Sequence, residues 1–207
     1  MEEGKLSKKD IKIVIAAHKP YRMPEDTMYV PLHVGAEGKK NPDGTPLDLG
    51  YQKDNEGDNI SAKNPYYCEL TGIYYAWKNI PAEYLGLVHY RRYFKGKNKS
   101  KDPFACIVTE PEMEKIFETH RIVVPKKRKY YIETLYSHYA HTHYAEHLDC
   151  VREIIGEQCP DYLNSYDKVI KQTSGYMFNM MVMERALFDS YCAWLFAILF
   201  ELEKRVG

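Results

Sequence analysis

Short apolar runs alternate along the chain with longer segments of helical period. The apolar runs have the length and residue types of buried strands, and they lie at 12–17, 28–34, 84–88, 121–124 and 176–183. Residues 105–108 read as a further short strand or extended piece. Helical spacing is found at 64–78, 109–119, 143–157, 160–171 and 185–206. This alternation predicts a single α/β domain over 11–207, with a mostly parallel sheet flanked by helices.

Two helix starts and one helix surface stand out. Asn64 is expected as an N-cap with Pro65 in the first turn, and Thr109 with Glu112 forms a capping-box pattern. In the 185–206 helix, Phe196 and Phe200 lie off the main apolar stripe. A helix that is apolar on more than one side must be covered, so we expect a homodimer partner, a membrane surface or a following segment against it.

Composition narrows the class of protein. The 29 basic and 29 acidic residues balance, so nothing global predicts a nucleic-acid partner or an acidic membrane. Two acid-free basic runs, 89–101 and 121–131, instead favour a local anionic ligand. The five cysteines form no CxxC pattern, and residues 1–10 are charged and lack a signal sequence. We therefore expect a cytoplasmic protein with reduced thiols and a disordered or tag-like segment at 1–10.

The ends of two predicted strands carry cationic residues. The 84–88 strand runs directly into His89, Arg91 and Arg92, and the first strand runs into His18 and Lys19. In α/β sheets, ligands bind beyond the carboxyl ends of the strands, and guanidinium groups grip oxyanions such as phosphate. The alternative is an ordinary exposed arginine pair and a polar turn.

A second group closes the long, glycine-rich loop at 35–58. Asp58, Asn59 and Lys63 precede a predicted helix N-terminus, where exposed amides favour anions. Asp58 would orient a ribose or sugar hydroxyl, or act as a base. The alternative is that Asp58 and Asn59 only shape the turn.

A third group lies in the second half of the chain. Basic residues beside tyrosines can hold a pyrophosphate or an anionic acceptor, although a solvated basic loop is the commoner explanation of such a run. The histidines that follow suit base catalysis or sugar hydrogen bonds, a structural role, or a metal site, but HExxH is absent and no metal ligand set is predicted. The residues of this group are Lys126, Lys127, Tyr131, His138, His141 and His143.

These motifs together resemble a family of bacterial capsular and exopolysaccharide glycosyltransferases, catalogued as a domain of unknown function. The resemblance covers about 11–205 and rests on AAHKPYRMPEDTMYVPLHVG (16–35), GDNISAKNPYYCELTGIYYAWKN (57–79), YLGLVHYRRYF (84–94), VPKKRKYYIETLYSHYAHTHYAEHLD (124–149) and MFNMMVM (177–183). It implies a GT-A-like (Rossmann-like) fold and a nucleotide-sugar donor. The nucleotide is expected to be UDP, and some similar proteins transfer galactofuranose. It also implies a further helical segment after the long helix, so the C-terminus looks truncated.

The resemblance assigns roles to the candidate residues. GT-A enzymes usually place a metal-binding Asp-x-Asp where this chain has His89, Arg91 and Arg92, so cations would neutralise the leaving diphosphate, with Mg²⁺ or Mn²⁺ as an open alternative. Donor binding is expected from His18, Lys19, Asp58, Asn59, Lys63, His89, Arg91 and Arg92. Acceptor or diphosphate binding is expected from Lys126, Lys127, Tyr131, His138, His141 and His143.

The functional prediction is a hexosyltransferase that acts on a lipid-linked or oligosaccharide acceptor at the inner face of the cell membrane. Asp58 or His138 is the expected base. The missing Asp-x-Asp and the short C-terminus motivate an alternative, a non-catalytic glycan- or nucleotide-binding module of a synthesis complex. A third reading, a histidine-metal hydrolase, rests on the local density of histidines.

Overall fold

A computed structural model describes residues 8–207, so most of the segment predicted to be disordered at 1–10 lies outside the described residues. The strands are β1 (Ile11–Ala17), β2 (Tyr29–His33), β3 (Gln52–Lys53), β4 (Tyr84–His89), β5 (Ile122–Val123), β6 (Arg128–Lys129), β7 (Ser174–Gly175) and β8 (Met181–Glu184). The helices are α1 (Asn64–Tyr67), α2 (Leu70–Asn79), α3 (Glu110–Ile116), α4 (Leu135–Ala140), α5 (Ala145–Gln158), α6 (Leu163–Ile170) and α7 (Arg185–Val206). Three short 3₁₀ turns lie at Ser61–Lys63, Pro103–Cys106 and Pro160–Tyr162.

Six strands form one mixed sheet in the order β3-β2-β1-β4-β8-β5. The pairs among β1, β2, β3 and β4 are parallel, and β8 runs antiparallel to both β4 and β5. The predicted α/β sheet flanked by helices is therefore confirmed, with one reversed strand that places β8 beside β4.

The central strand β1 is buried on both sides of the sheet because its side chains alternate between two helical layers. Ile11, Ile13 and Ile15 join a core that includes Met113 and Phe117 from α3 and its end. On the opposite face, α2 packs against β1 and β4. The sheet is thus covered on both faces, which leaves the ends of its strands for a ligand site. The side at which the parallel strands end is called its carboxyl edge.

Gly86 allows β4 and β8 to approach closely. A Cβ atom at this position would lie 2.3 Å from the carbonyl oxygen of Met181 and 2.8 Å from Cγ2 of Val182. Since those neighbours are the paired strand itself, a larger residue would have to push β8 away.

A buried carboxylate joins three segments that follow the parallel strands. Asp54 has no exposed surface, and it accepts hydrogen bonds from the backbone amides of Gly35 (2.7 Å) and Ala36 (3.0 Å). The hydroxyls of Ser61 and Thr71 (2.7 Å) also donate to it. One side chain therefore ties the turn after β2 to the start of α2.

The predicted helix at 64–78 is two helices in the structure. Cys68 adopts a positive φ of 49°, which ends α1 at Tyr67 and lets α2 begin at Leu70. Asn64 is the first residue of α1 rather than its N-cap, and its amide donates to the carbonyl of Cys68 (2.8 Å). The capping box of Thr109 and Glu112, in contrast, is confirmed at the start of α3.

Three other boundaries differ from the sequence prediction. The strand predicted at 176–183 is only Met181–Glu184, because Phe178 and Asn179 both have positive φ. The strand or extended piece expected at 105–108 is divided: Cys106 ends a 3₁₀ turn, and Ile107 is extended and forms an isolated bridge with Lys95. Phe196, expected to lack cover, is 2% exposed, whereas the predicted bounds of α7 are confirmed.

Contacts divide the chain into two compact units. The first contains the six-stranded sheet and comprises, among the described residues, 8–124 together with Asn179–Asp189. The second comprises Pro125–Phe178 and Ser190–Gly207, with the β6–β7 ribbon and a small core around Ile154, Ile155 and Ile198.

We predict that Asp54→Ala lowers the free energy of unfolding by about 3 kcal/mol or more, because two buried amides lose their acceptor. Asp58→Ala is the matched control, since Asp58 is exposed and its carboxylate accepts one hydrogen bond, from the Tyr74 hydroxyl (3.1 Å). That control should cost less than about 1 kcal/mol. Urea unfolding followed by circular dichroism measures both values. Equal losses for the two variants would contradict the assigned role of Asp54.

Candidate functional site

The predicted cationic residues after β1 and β4 meet at the carboxyl edge of the sheet. The two strands are parallel neighbours with Ala16 opposite His89, and the amide of Tyr90 donates to the carbonyl of Ala16 (3.3 Å). His18 and Tyr90 therefore leave the sheet side by side. The strand-end rule brings the two clusters together as the sequence indicated.

A tight turn follows β4 at once. The amide of His89 donates to the carbonyl of Arg92 (3.1 Å), and the amide of Arg92 donates to the carbonyl of His89 (2.9 Å). Arg91 lies within this turn and is exposed. The exposed side chain of Arg91 therefore follows closely after the end of β4.

The ring of Tyr90 organises the cluster. Tyr90 is only 6% exposed, and the His18 and Tyr21 rings both meet it edge to face, at centroid distances of 5.2 Å. The Lys19 ammonium lies 5.8 Å from its centroid and the Arg91 guanidinium 5.0 Å, within the range of cation–π contacts. We refer to His18, Lys19, Tyr90 and Arg91 as the Tyr90 cluster.

The electrostatics of the Tyr90 cluster favour an anion. Partial burial lowers the pKa of His18, and the positive charges of Lys19, Arg91 and Lys39 lower it further. His18 is therefore uncharged at neutral pH, and its surroundings carry an excess of positive charge. A diphosphate would relieve this repulsion.

An aromatic cavity of about 460 Å³ adjoins Arg91. Its walls are largely rings, with Arg91 and Lys95 as the cationic members; the rings belong to Tyr21, Tyr90, Tyr93, Phe94 and Phe104. A two-pronged ion pair fixes one wall: Arg22 donates to Asp102 at 3.1 and 2.8 Å, and its guanidinium lies 4.4 Å from the Phe104 centroid. Flat apolar faces beside cations suit a nucleoside or a sugar ring.

The structure does not bring Asp58 to this cluster. The backbone of Asp58 is bound to the side chain of Asn79, at 3.2 and 2.8 Å, at the C-terminal end of α2. Because Thr71, at the other end of α2, bonds to Asp54 beyond β3, the helix runs from the carboxyl edge of the sheet to its amino edge. Asp58 therefore lies at the far end of α2, about two helical turns from Thr71.

The neighbours of Asp58 are similarly engaged in local structure. Asn59 closes its own turn by donating to the carbonyl of Gly57 (2.9 Å) and accepting from the amide of Ser61 (3.1 Å). Lys63 ends the 3₁₀ turn and precedes α1. These contacts are those of the alternative reading, in which the segment shapes a turn.

Glu133 holds two of the predicted histidines in the second unit. Nδ1 of His138 lies 3.0 Å from one oxygen of Glu133, and Nδ1 of His141 lies 2.6 Å from the other. These hydrogen bonds lower the pKa of Glu133, which stays ionised at neutral pH. Since Nδ1 of His138 faces the carboxylate, Nε2 is the nitrogen left for proton transfer.

The other residues of this segment are split between a cavity and the surface. A cavity of about 400 Å³ is lined by Tyr130, His138 and His143 together with aliphatic side chains. Lys126, Lys127 and Tyr131 are exposed, and Lys127 donates to Gln172 (3.2 Å). The sequence therefore grouped residues that the structure separates.

Two residues near the carboxyl edge escaped the sequence reasoning. Lys39 lies in the 35–58 loop and acts on His18, yet nothing distinguishes it from other loop lysines. His33 ends β2 beside Ala17, is 1% exposed, and has no hydrogen-bond partner at Nδ1. The strand-end rule that selected His18 and His89 would also have selected His33.

Within residues 8–207, no group of three or more His, Cys, Asp or Glu side chains is arranged to hold a metal ion. Across the same residues, no helix is both long enough and apolar enough to span a bilayer.

Comparison with known proteins agrees with the resemblance in the motifs. The chain is similar to the apo structure of the bifunctional glycosyltransferase WbbM, with a TM-score of 0.84 and 30% sequence identity over 96% of this chain. It spans 38% of that protein's length. No curated protein matches it. Residues 12–207 match the family described as "Domain of unknown function (DUF4422)", and the chain belongs to that family.

Proposed function

We propose that the chain is a glycosyltransferase that moves a sugar from a nucleotide-sugar to a glycan acceptor. The observation that carries the proposal is the Tyr90 cluster, where cations from two loops converge at the edge at which α/β sheets bind ligands. The similarity in fold to a glycosyltransferase supports it. By family resemblance the donor is a UDP-sugar, with UDP-galactofuranose to be tested early, and the product is a capsular or exopolysaccharide glycan.

Bond cleavage in such a transfer moves negative charge onto the leaving diphosphate. The bond between the anomeric carbon and the diphosphate oxygen breaks, and its electron pair stays on that oxygen. Arg91 and Lys19 would stabilise the developing charge without reorganisation, because the packing around Tyr90 holds them in advance. The aromatic cavity beside Arg91 would take the nucleoside.

The acceptor hydroxyl must lose a proton as it attacks the sugar. The sequence analysis expects Asp58 or His138 to accept this proton. Within its own unit, Nε2 of His138 is suited to that role because Glu133 holds the opposite nitrogen and would stabilise the imidazolium that forms. Asp58, the other base expected from the sequence, is the less favoured candidate because the side chain of Asn79 binds its backbone at the end of α2.

The first prediction tests activity and metal dependence together. The protein is incubated with a panel of UDP-sugars, and UDP release to water is measured with and without EDTA. We expect slow release from at least one donor at the same rate in EDTA, since cations take the position of Asp-x-Asp. Release that is abolished by EDTA and restored by Mn²⁺ would contradict the expectation that the transfer needs no metal ion. No release from any donor, with UDP binding intact, would favour a non-catalytic binding module.

The second prediction concerns nucleotide binding. Arg91→Ala should weaken UDP binding at least about tenfold, or about 1.4 kcal/mol, because a charge-assisted contact to the diphosphate is lost. Its melting temperature should match the parent's, since Arg91 is exposed. Lys99→Ala removes the same charge from the same basic run and should leave UDP affinity unchanged. Calorimetry measures the affinities, and equal values for parent and Arg91→Ala would refute the role.

The third prediction concerns the proposed base. His138→Asn should lower the rate of UDP release by about 10²-fold or more while UDP affinity stays at the parent value. His147→Asn is the control. Both histidines lie beside a tyrosine ring, His138 at 4.0 Å from Tyr130 and His147 at 5.4 Å from Tyr144 (centroid distances), but His147 lacks a carboxylate partner among the observed hydrogen bonds. A parental rate in His138→Asn would exclude His138 as the base.

A further inference from the structure

The surface loop at residues 126–132 carries chemistry that the proposed function does not use; we call it the basic tip. Ile132 is 93% exposed and Tyr131 is 83% exposed, which places them among the most exposed large apolar side chains of residues 8–207. Burying side chains of this size is normally favourable. Their adjacent exposure therefore indicates a surface that meets something apolar.

The backbone holds this exposure in place. β6 pairs with β7, and the amide of Tyr130 donates to the carbonyl of Thr173 (2.7 Å). The amide of Ile132 donates back to the carbonyl of Tyr130 (2.8 Å), and Tyr131 between them has a φ of 63°. A tyrosine rarely adopts that conformation, so the tip is a formed turn rather than a loose loop.

The apolar tip is surrounded by positive charge. Lys126, Lys127, Arg128 and Lys129 are all exposed, and no acidic residue occurs between Glu118 and Glu133. The Lys127 ammonium lies 5.2 Å from the centroid of the half-exposed Tyr176 ring. Glu133, the nearest acid in sequence, is engaged by His138 and His141. The local charge is therefore strongly positive.

We infer that the basic tip is a peripheral docking site for an anionic lipid surface. Tyr131 and Ile132 would enter the boundary between headgroups and acyl chains, and the four cations would contact lipid phosphates. Two apolar side chains are too few for the core of a stable protein–protein interface, whereas they suffice to anchor a polybasic segment on a membrane. This role assigns Lys126, Lys127 and Tyr131 to lipid rather than to the nucleotide.

Vesicle co-sedimentation tests the inference without any sugar nucleotide, so its outcome is independent of the proposed function. We expect at least about tenfold stronger binding to vesicles of phosphatidylcholine with phosphatidylglycerol than to phosphatidylcholine alone, decreasing with salt. Equal binding to both vesicles, or none to either, would overturn the inference.

Matched variants locate the contact. Lys126→Gln/Lys127→Gln/Lys129→Gln should remove most of the preference for anionic vesicles. Lys97→Gln/Lys99→Gln/Lys101→Gln removes the same charge from the other acid-free run, whose three lysines are equally exposed, and should change little. Equal loss in both triple variants would mean that diffuse charge drives binding, and the assignment to the basic tip would fall.

The apolar part has its own controls. Tyr131→Ser/Ile132→Ser should weaken binding to anionic vesicles at least about fivefold, more than Tyr66→Ser, because Tyr66 is equally exposed (85%) but lies outside both acid-free basic runs. Ile132→Trp supplies a readout that does not depend on lost binding: its fluorescence should shift to the blue and be quenched by brominated lipid. An unshifted, unquenched tryptophan on bound protein would overturn insertion of the tip.

Discussion

The proposed function of this protein depends on two positive charges, those of Lys19 and Arg91, that are held close together around the buried ring of Tyr90. The parallel pairing of β1 with β4 places the segments after both strands at one edge, and the ring of Tyr90 fixes the side chains that follow. Burial lowers the pKa of His18, and the positive charges of Lys19, Arg91 and Lys39 lower it further. A bound diphosphate would neutralise these charges, so this end of the sheet would recognise the anion and be stabilised by its binding.

The carboxylate of Asp54 provides the rigidity that this edge requires. It holds the turn after β2 and the start of α2 through backbone amides and hydroxyls, and both segments border the strand ends. The 35–58 loop, which supplies Lys39, is thereby anchored close to the Tyr90 cluster. Asp54 and Asp58 lie only four residues apart. Asp54 is a buried carboxylate that joins several segments, whereas Asp58 belongs to an exposed turn.

Local patterns predicted the parts of the fold that local interactions determine. The strand at the first apolar run, the capping box of α3 and the bounds of α7 follow from residue spacing alone. The break at Cys68 and the short β8 depend on positive φ values at Cys68, Phe178 and Asn179. None of these residues is a glycine, so the sequence gives no signal for that conformation. Asp54 escaped notice because its partners are 7 to 19 residues away, and the sequence places several acids and amides beside it.

The candidate site was predictable to the same degree. The strand-end rule selected His18, Lys19 and Arg91, since parallel strands share one edge. It could not show that Tyr90 joins them, nor that Glu133 orients His138, because both contacts require the folded chain. Asp58 attracted attention as a carboxylate near a helix start, and only the path of α2 reveals where it lies.

The most direct test of the central claim is a crystal structure of the protein with UDP bound. The account predicts that the diphosphate contacts Lys19 and Arg91 beside the Tyr90 ring, with the nucleoside in the adjoining aromatic cavity. A diphosphate bound at the basic tip, or at any other position away from the carboxyl edge of β1 and β4, would contradict it.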